Sequence, residues 1–458
     1  MLSLLKVAKG DVLANHCEAF QTSLNLRKVG SMPVTKLEKK LHDALVGDTD
    51  GTGGLSDLQA EREPANFLRH AVSLSMSKVA DGLIDPKLIL SWLLAHLGAS
   101  SFFVGLLVPI REAGALLPQL FTAPRVQAMA RRKWAWVAGS IGQGAAAAGI
   151  VLAALTLSGA VAGGVICALL AVLAVARSVC SVSYSDVLGK TVGQSRRGAA
   201  TGTATSLGAG AVVVFALLLM SGVFDRATLV IVAIALAALM WLGAGFVFST
   251  LWEEPAPGER RDATLGQLSI LRSDPQLRRF IWARGLLTST ALAPPYIVLL
   301  GAQAGQSTFD RLGALVLASS IASFISSWVW GRLADRSSRQ VLMFSGVFGG
   351  LALLAAIALD SIGASASIWA LPVVLFTLMI AYHGVRQGRV IYLVDMAPKR
   401  NRATYTAVSN TVIGIVLLGS GIFGAVASMA GAKTALAIFA CMALGSVFVT
   451  KGLDDVHH

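Results

Sequence analysis

Charge is scarce in this sequence. Only 14% of its 458 residues are Asp, Glu, Lys or Arg, where a soluble domain carries roughly 25%. With 55% hydrophobic residues, water cannot solvate the surface of such a chain, so it must dissolve in lipid. Cysteine is scarce too. Cys17, Cys167, Cys180 and Cys441 lie far apart, three of them in apolar stretches, and no CxxC pair appears. A zinc site, a redox motif and a disulfide framework are therefore not expected; the cysteines read as small packed hydrophobes. The histidines are scattered, no nucleophile sits with a base, and no Walker loop is present, so neither an enzyme nor an ATP-driven pump is expected, and no cofactor or metal is implied. The opening MLSLLKVAKGD has too short an apolar run to be a secretory signal. The net charge of +13 is spread over alternate loops rather than gathered in one stripe, which argues against a nucleic-acid partner.

What the chain does have is apolar runs of bilayer length. A membrane-spanning helix takes about 20 mainly apolar residues, and backbone in hydrocarbon must satisfy its own hydrogen bonds. Twelve such spans are expected, at 72–97, 102–121, 134–156, 161–185, 201–222, 228–251, 280–303, 311–331, 340–359, 367–393, 405–429 and 433–451. Loop charges alternate in step with them. One side holds Arg125, Arg131, Arg132, Lys133, Lys190, Arg196, Arg197, Arg260, Arg261, Arg272, Arg278, Arg279, Arg332, Arg336, Arg339, Lys399, Arg400 and Arg402; the other holds only Arg226, Arg311 and Lys433. The positive-inside rule then places both termini in the cytoplasm of a multi-pass protein of the cell (inner) membrane. Ser140 and Gly144, and Gly346 and Gly350, stand four apart. Small residues at that spacing let helix backbones approach; packing within the fold is the expected use.

The polar, proline-containing stretch EEPAPGERRDATLGQLSILRSDPQLRR divides the spans six and six, as an inter-domain linker would. The halves echo each other at a fixed offset. Arg177, Asp186 and Lys190 recur as Arg386, Asp395 and Lys399, and Pro86 as Pro295, all 209 residues apart. A duplicated six-helix unit with a site at the interface of the repeats is a known transporter plan. The expected organisation is an N-terminal extension 1–70, a six-helix bundle 71–251, a linker 252–279, a second bundle 280–452 and a tail 453–458.

The eighth span ends in GRLADRSSRQ. This resembles the G-x-x-x-D-R/K-x-G-R/K-R/K loop motif of the major facilitator superfamily, matching it at Gly331, Asp335, Arg336 and Arg339 and departing at Ser338 and Gln340. The first-half loop PQLFTAPRVQAMARRKW keeps the basic end but lacks the Asp, so a latch there must be built differently. The resemblance implies an all-α membrane fold of two pseudo-symmetric six-helix bundles, a secondary transporter without cofactor, and gating roles for Gly331, Asp335, Arg336 and Arg339. A carboxylate favours a helix N-terminus and pairs well with Arg, which fits that role. Helices one, four, seven and ten line the cavity in this superfamily. No Gly-Pro antiporter motif and no sugar-porter signature are present.

Charges inside spans cost roughly 2.5–3.5 kcal/mol each and need a reason. Lys78, Asp81 and Asp85 share one face of the first span, with Pro86 expected to loosen it. Lys78 can neutralise Asp81 one turn away. Arg111 and Glu112 lie mid-span in the second helix and should meet different partners. Asp81, Asp85 and Glu112 are the candidate proton carriers, against the alternative of structural ion pairs. Arg386 and Arg389 lie one turn apart in the tenth span with Tyr382 on the same face, and Arg177 lies in the fourth. Arginine suits carboxylate or phosphate, so Arg177, Arg386, Arg389 and Tyr382 are the candidate substrate contacts, with an organic anion as the candidate substrate class. Pairing with internal acids and snorkelling remain open for the arginines, and snorkelling is expected for Arg284. His383 reads either as a proton relay or as a packing residue.

Ahead of the spans, TKLEKKLHDALV reads as an amphipathic helix for the inner leaflet. DTDGTGGLSDLQ resembles a decayed calcium loop, with Gln59 in place of the closing Glu, and reads better as a linker. The expected partners are a small-molecule substrate, protons and the bilayer. A non-transporting sensor on the same fold is the alternative, with a membrane-embedded enzyme behind it.

Overall fold

The computed structural model describes residue 55 and residues 57–193, 196–255, 270–303, 312–334, 336–367, 369–398 and 402–455. The amphipathic stretch and most of the calcium-like loop lie outside them; Gln59 lies within the first described helix. Every regular element among the described residues is helical: α1 (Asp57–Leu83), α2 (Ile89–His96), α3 (Ser101–Leu116), α4 (Gln119–Gln127), α5 (Lys133–Thr156), α6 (Gly159–Thr191), α7 (Arg197–Ser221), α8 (Arg226–Ser249), α9 (Ile270–Ser273), α10 (Pro275–Leu287), α11 (Ser289–Leu292), α12 (Pro294–Gln303), α13 (Leu312–Ala334), α14 (Ser338–Ser361), α15 (Ala370–Met396), α16 (Arg402–Gly419), α17 (Ile422–Ala430) and α18 (Ala432–Lys451), with one short 3₁₀ turn at Ala364–Ala366.

Ten continuous or nearly continuous rods are long and apolar enough to cross a membrane, from Ser101–Gln127 to Ala432–Lys451. The chain is a multi-pass membrane protein. Two further rods fall short of that measure: α1 with α2, because of its charges, and α13, whose apolar part Leu312–Ser326 is short. Phe324, Met429 and Phe448 stand more than three-quarters exposed, as lipid-facing side chains should. Apolar surface gives little drive for helix association in lipid, so small residues and polar ties set the packing. Ser140 Oγ donates to Trp241 O at 2.7 Å, and Gly144 lies against Leu242 and Ala238, which seats α5 on α8. Gly346 and Gly350 lie against Ala443 and Leu444, which seats α14 on α18. Both four-residue stripes are consumed inside the fold.

The rods differ from sequence expectation in where they begin and break. The first begins at Asp57 rather than 72, so the expected boundary at 71 falls within a helix. Its extra turns are polar yet buried, and each has a partner. Glu63 pairs with Arg196 at 2.6 Å, Asn66 exchanges two 3.0 Å bonds with the backbone of Trp252, and His70 Nε2 meets Thr191 Oγ1 at 2.8 Å. A hydropathy reading stops before such turns because it cannot see the partners. Two breaks fall at proline, which removes an N–H: between α1 and α2 at Pro86, and between α10 and α12 ahead of Pro294 and Pro295; Pro109 lies within α3 without breaking it.

Candidate functional site in the charged interior

At the break after Leu83 the chain runs through Asp85, Pro86 and Lys87 before α2 begins. Asp85 Oδ1 accepts the Lys87 N–H at 3.0 Å and the Asp85 carbonyl accepts those of Ile89 and Leu90. Ser91 Oγ donates to the Pro86 carbonyl at 2.7 Å. Asp85 is thus spent on shaping the break, as Asp commonly is in turns. The turn directs Lys87 inward: its side chain is buried, with Nζ 3.5 Å from the centroid of the Tyr382 ring on α15, an arrangement that attracts a cation.

One turn before the break, Asp81 receives two arginines. Arg111 Nη2 of α3 donates to Oδ1 at 2.8 Å and Arg177 Nη1 of α6 to Oδ2 at 2.6 Å. The carboxylate is saturated by the second and fourth rods, rather than by Lys78 as its spacing suggests. Lys78 is held where α1 crosses α7, its Cβ so near Gly208 that a methyl there would sit 2.7 Å away. Among the described residues this three-residue unit is the largest ion-pair cluster in the interior. A pair of this kind is costly to leave half-made.

Glu112, the neighbour of Arg111, points to other partners. It makes no direct ion pair among the described residues but lies within electrostatic reach of Lys87, Arg389, Arg111 and Arg386. Arg386 and Arg389 of α15 thus face the same interior as the α1–α3 acids. Arg386 is exposed and Arg389 half-buried. On the same stretch His383 Nε2 and Gln387 Oε1 are buried with no partner among the described residues. Arg284 corrects the expectation of snorkelling: it is 5% exposed, donating to Ser409 Oγ at 2.7 Å and Asn410 Oδ1 at 3.0 Å on α16. Counting Lys78, Lys87, Arg111, Arg177, Arg284, Arg386 and Arg389 against Asp81, Asp85 and Glu112 leaves four positive charges in excess.

The loop motif lies apart from this cluster. Gly331 lies in the last turn of α13, Arg336 is exposed, and Asp335 lies outside the described residues. Arg339, at the start of α14, turns to the chain end, donating to Leu453 O at 3.0 Å and pairing with Asp455 at 3.1 Å. The other loop, which lacks the motif Asp, has a carboxylate from elsewhere. Glu253, after α8, accepts the N–H groups of Arg132 and Lys133 at 3.0 and 2.7 Å, capping the start of α5. Around it Asp186 pairs with both Arg132 and Lys190, while Lys133 Nζ donates to the Ser249 and Leu251 carbonyls at the end of α8. Opposite charge thus sits at each helix end.

At the other end of the rods the two halves press together. Gly105 of α3 crosses Gly424 of α17 so closely that a Cβ on Gly105 would strike the Gly424 backbone and lie 2.6 Å from Tyr296 Oη. Gly313 of α13 meets Ala216 and Met220 of α7 in the same way. α2 packs on α12 there as well. These crossings lie at the end of the rods opposite Asp57 and Lys451.

Sequence reasoning missed Lys87, Glu253, Ser409 and Asn410. Lys87 had a signal, since a base directly after a helix-breaking Asp-Pro must leave the helical register. Glu253 had none, because its partner lies 120 residues away.

The fold agrees over most of the chain with solved transporters. A nucleoside transporter, NupG, superposes with a TM-score of 0.66 at 13% identity, covering 85% of this chain and 98% of its own. A D-xylose–proton symporter gives 0.60 at 12%, over 85% and 98%, and a POT family transporter bound to a thioalcohol-conjugated peptide gives 0.63 at 11%, over 84% and 95%. This is the major facilitator superfamily fold. In sequence the chain is similar to the uncharacterized protein Rv2209 of Mycobacterium tuberculosis, at 26% identity over 360 residues, 72% of this chain and 67% of the relative. Uncharacterized protein Mb2232 of Mycobacterium bovis matches to the same extent. No family model matches the chain. The resemblance read from Gly331, Asp335, Arg336 and Arg339 is thereby joined by an architecture shared with these solved transporters.

Proposed function

We propose that the chain is a secondary active transporter that moves a small solute by alternating access. In this reading α1 with α2, and α13, complete twelve spans with the ten rods above, arranged as two six-helix bundles joined by the central linker. Both termini lie in the cytoplasm of the cell membrane, by the loop charge bias. The observation that carries the reading is the charged interior to which both halves contribute, with the halves in close contact through the Gly105–Gly424 crossing at the end of the rods opposite Asp57 and Lys451. Charged groups at membrane depth mark solute and ion pathways, and a solute site at the interface of two repeats is how this architecture transports. The solved structures of similar fold are described as transporters of a nucleoside and of xylose with protons, which supports transport in general.

The positive excess supports an anionic solute. Of the acids, Glu112 is the first proton candidate, because Asp81 is engaged by two arginines and Asp85 by the turn it shapes. Protonating Glu112 removes the negative charge nearest Lys87 and Arg389. For the loop motif, Asp335 with Arg336 remains the proposed gate, whereas Arg339 ties α14 to the chain end. The test is uptake into proteoliposomes holding the purified chain, with labelled organic acids, nucleosides, sugars and peptides, with and without a proton gradient. Saturable uptake of one class is expected, with its pH dependence removed by Glu112→Gln. No carrier-mediated flux of any class would overturn the reading.

A further inference from the structure

The interior is asymmetric in a way that the 209-residue repeat exposes. The offset carries Arg177 to Arg386, yet it carries Asp81 to Thr290 and Arg111 to Ser320. Arg177 has a resident carboxylate at 2.6 Å; its counterpart has neither that acid nor the second arginine that shares it. Arg386 instead stands exposed in the interior with half-buried Arg389 one turn on. Glu112, within electrostatic reach of Arg386, is on the opposite half and makes no direct ion pair with it among the described residues. His383 Nε2 and Gln387 Oε1, on the same turns, are buried with no hydrogen-bond partner among the described residues. Unbalanced guanidinium groups at membrane depth are unfavourable, so this face of α15 is built to be completed by something the described residues do not supply.

We propose that Arg386 and Arg389 form a carboxylate subsite, in which the carboxylate of a small organic acid takes at Arg386 the place that Asp81 holds at Arg177. Lys87, reaching across from the break in the first rod, is the third base. Glu112 is the resident counter-ion against which the solute competes. The carboxylate class, rather than phosphate, follows from the sister site, where the repeat-equivalent arginine already receives a planar carboxylate; the planar guanidinium matches that group through paired N–H donors. The four-charge excess favours a solute with two carboxylates over one. The proposal rests on the transporter reading and names its substrate class.

The test is thermal unfolding of the purified full chain in detergent at constant ionic strength, titrated with succinate, acetate, inorganic phosphate, uridine and xylose. Succinate should raise the melting temperature, acetate less, and phosphate, uridine and xylose not at all. Arg386→Gln should weaken succinate at least about tenfold, the loss of one charge-assisted bidentate contact. Glu112→Gln should tighten it, an outcome that a merely structural glutamate would not give. Arg177→Gln should lower the starting melting temperature while keeping the succinate shift. If Arg386→Gln proves too unstable to purify, Arg389→Gln and the Glu112→Gln tightening carry the test. The proposal falls if phosphate matches succinate, if the shift survives Arg386→Gln and Arg389→Gln, or if only neutral solutes stabilise. Counterflow in proteoliposomes separates the two readings. Exchange of a neutral solute with no response to carboxylates sinks the subsite and leaves transport standing. A succinate shift without flux of any solute sinks transport and leaves the subsite.

Discussion

The two halves keep the same scaffold and differ in how they balance charge. Both begin with a rod broken at proline, at Pro86 and at Pro294–Pro295. Both tie the first rod to the fifth near the termini, through Glu63 with Arg196 and through Asp274 with Tyr405 at 2.6 Å, where positions 196 and 405 are again 209 apart. Both bring an acid from beyond their last rod back to a loop, Glu253 to Arg132 and Lys133, Asp455 to Arg339. In the interior they part. The first half neutralises Arg111 and Arg177 with Asp81; the second presents Arg386 and Arg389 without an acid paired to them among the described residues. Such a difference within a shared scaffold separates what holds the bundle together from what is left open to a solute.

The sharpest way to break the comparison is to remove the acid that only one half has. Asp81→Asn leaves Arg111 and Arg177 unpaired at membrane depth and should cost about 3–5 kcal/mol, the usual result of halving a buried ion pair. Thermal unfolding followed by tryptophan fluorescence should fall steeply, while Arg386→Gln in the other half should leave it nearly unchanged. Equal losses would mean that the halves are charge-balanced alike. Next in size is the crossing that joins the halves. Gly105→Leu cannot fit against the Gly424 backbone; overpacking of this kind costs about 1–3 kcal/mol. The end away from the termini should therefore be forced apart, read as faster thiol labelling of single cysteines placed there in a cysteine-free background. Unchanged labelling would show that the crossing does not seal that end.

How much of this was legible follows from the range of the interactions involved. Apolar runs report on each rod separately, so most rods and the break at Pro86 could be read directly. The first rod's early turns could not, because Glu63, Asn66 and His70 are tolerated only through partners at Arg196, Trp252 and Thr191. At the site, residue type was legible and pairing was not. Lys78 stands one turn from Asp81 in sequence, yet arginines 30 and 96 residues away hold the carboxylate. Arg284 reads as a snorkelling base near a membrane edge until Ser409 and Asn410 are seen to receive it. Long-range polar ties of this sort leave no periodicity in the chain.

Smaller effects should sharpen the comparison near the termini. Glu253 is 2% exposed and accepts two backbone N–H groups, so Glu253→Gln should cost about 1–3 kcal/mol, the penalty of a buried charge-assisted cap left half-satisfied. Asp455 is 45% exposed, and Asp455→Asn should cost well under about 1 kcal/mol, as exposed pairs do. The ranking is checked in the same unfolding assay. A larger loss at Asp455 would show that the chain end, rather than the loop ahead of α5, bears the greater load.

The smallest effect concerns the starts of the last rods of each half. Asp225 caps α8, its carboxylate accepting both the N–H and the hydroxyl of Thr228 at 2.9 Å. The corresponding start of α18 has Gly431 and no side-chain cap. Those two donors hold the Asp225 carboxyl below its ordinary value. A carboxyl whose value is depressed by folding contributes stability above its unfolded value and loses it as pH falls through the folded one. Asp225→Ala should therefore lower the melting temperature slightly at neutral pH. The difference from the parent should close as pH drops below about 4, where an unperturbed Asp is already gaining its proton. Gly431 stands at φ 86° and ψ 161°, a backbone conformation essentially reserved for glycine, so Gly431→Asp should lower the melting temperature at every pH rather than supply a second cap. A gap for Asp225→Ala that stays constant from neutral pH to well below 4 would mean that the aspartate supports α8 through its shape rather than its charge.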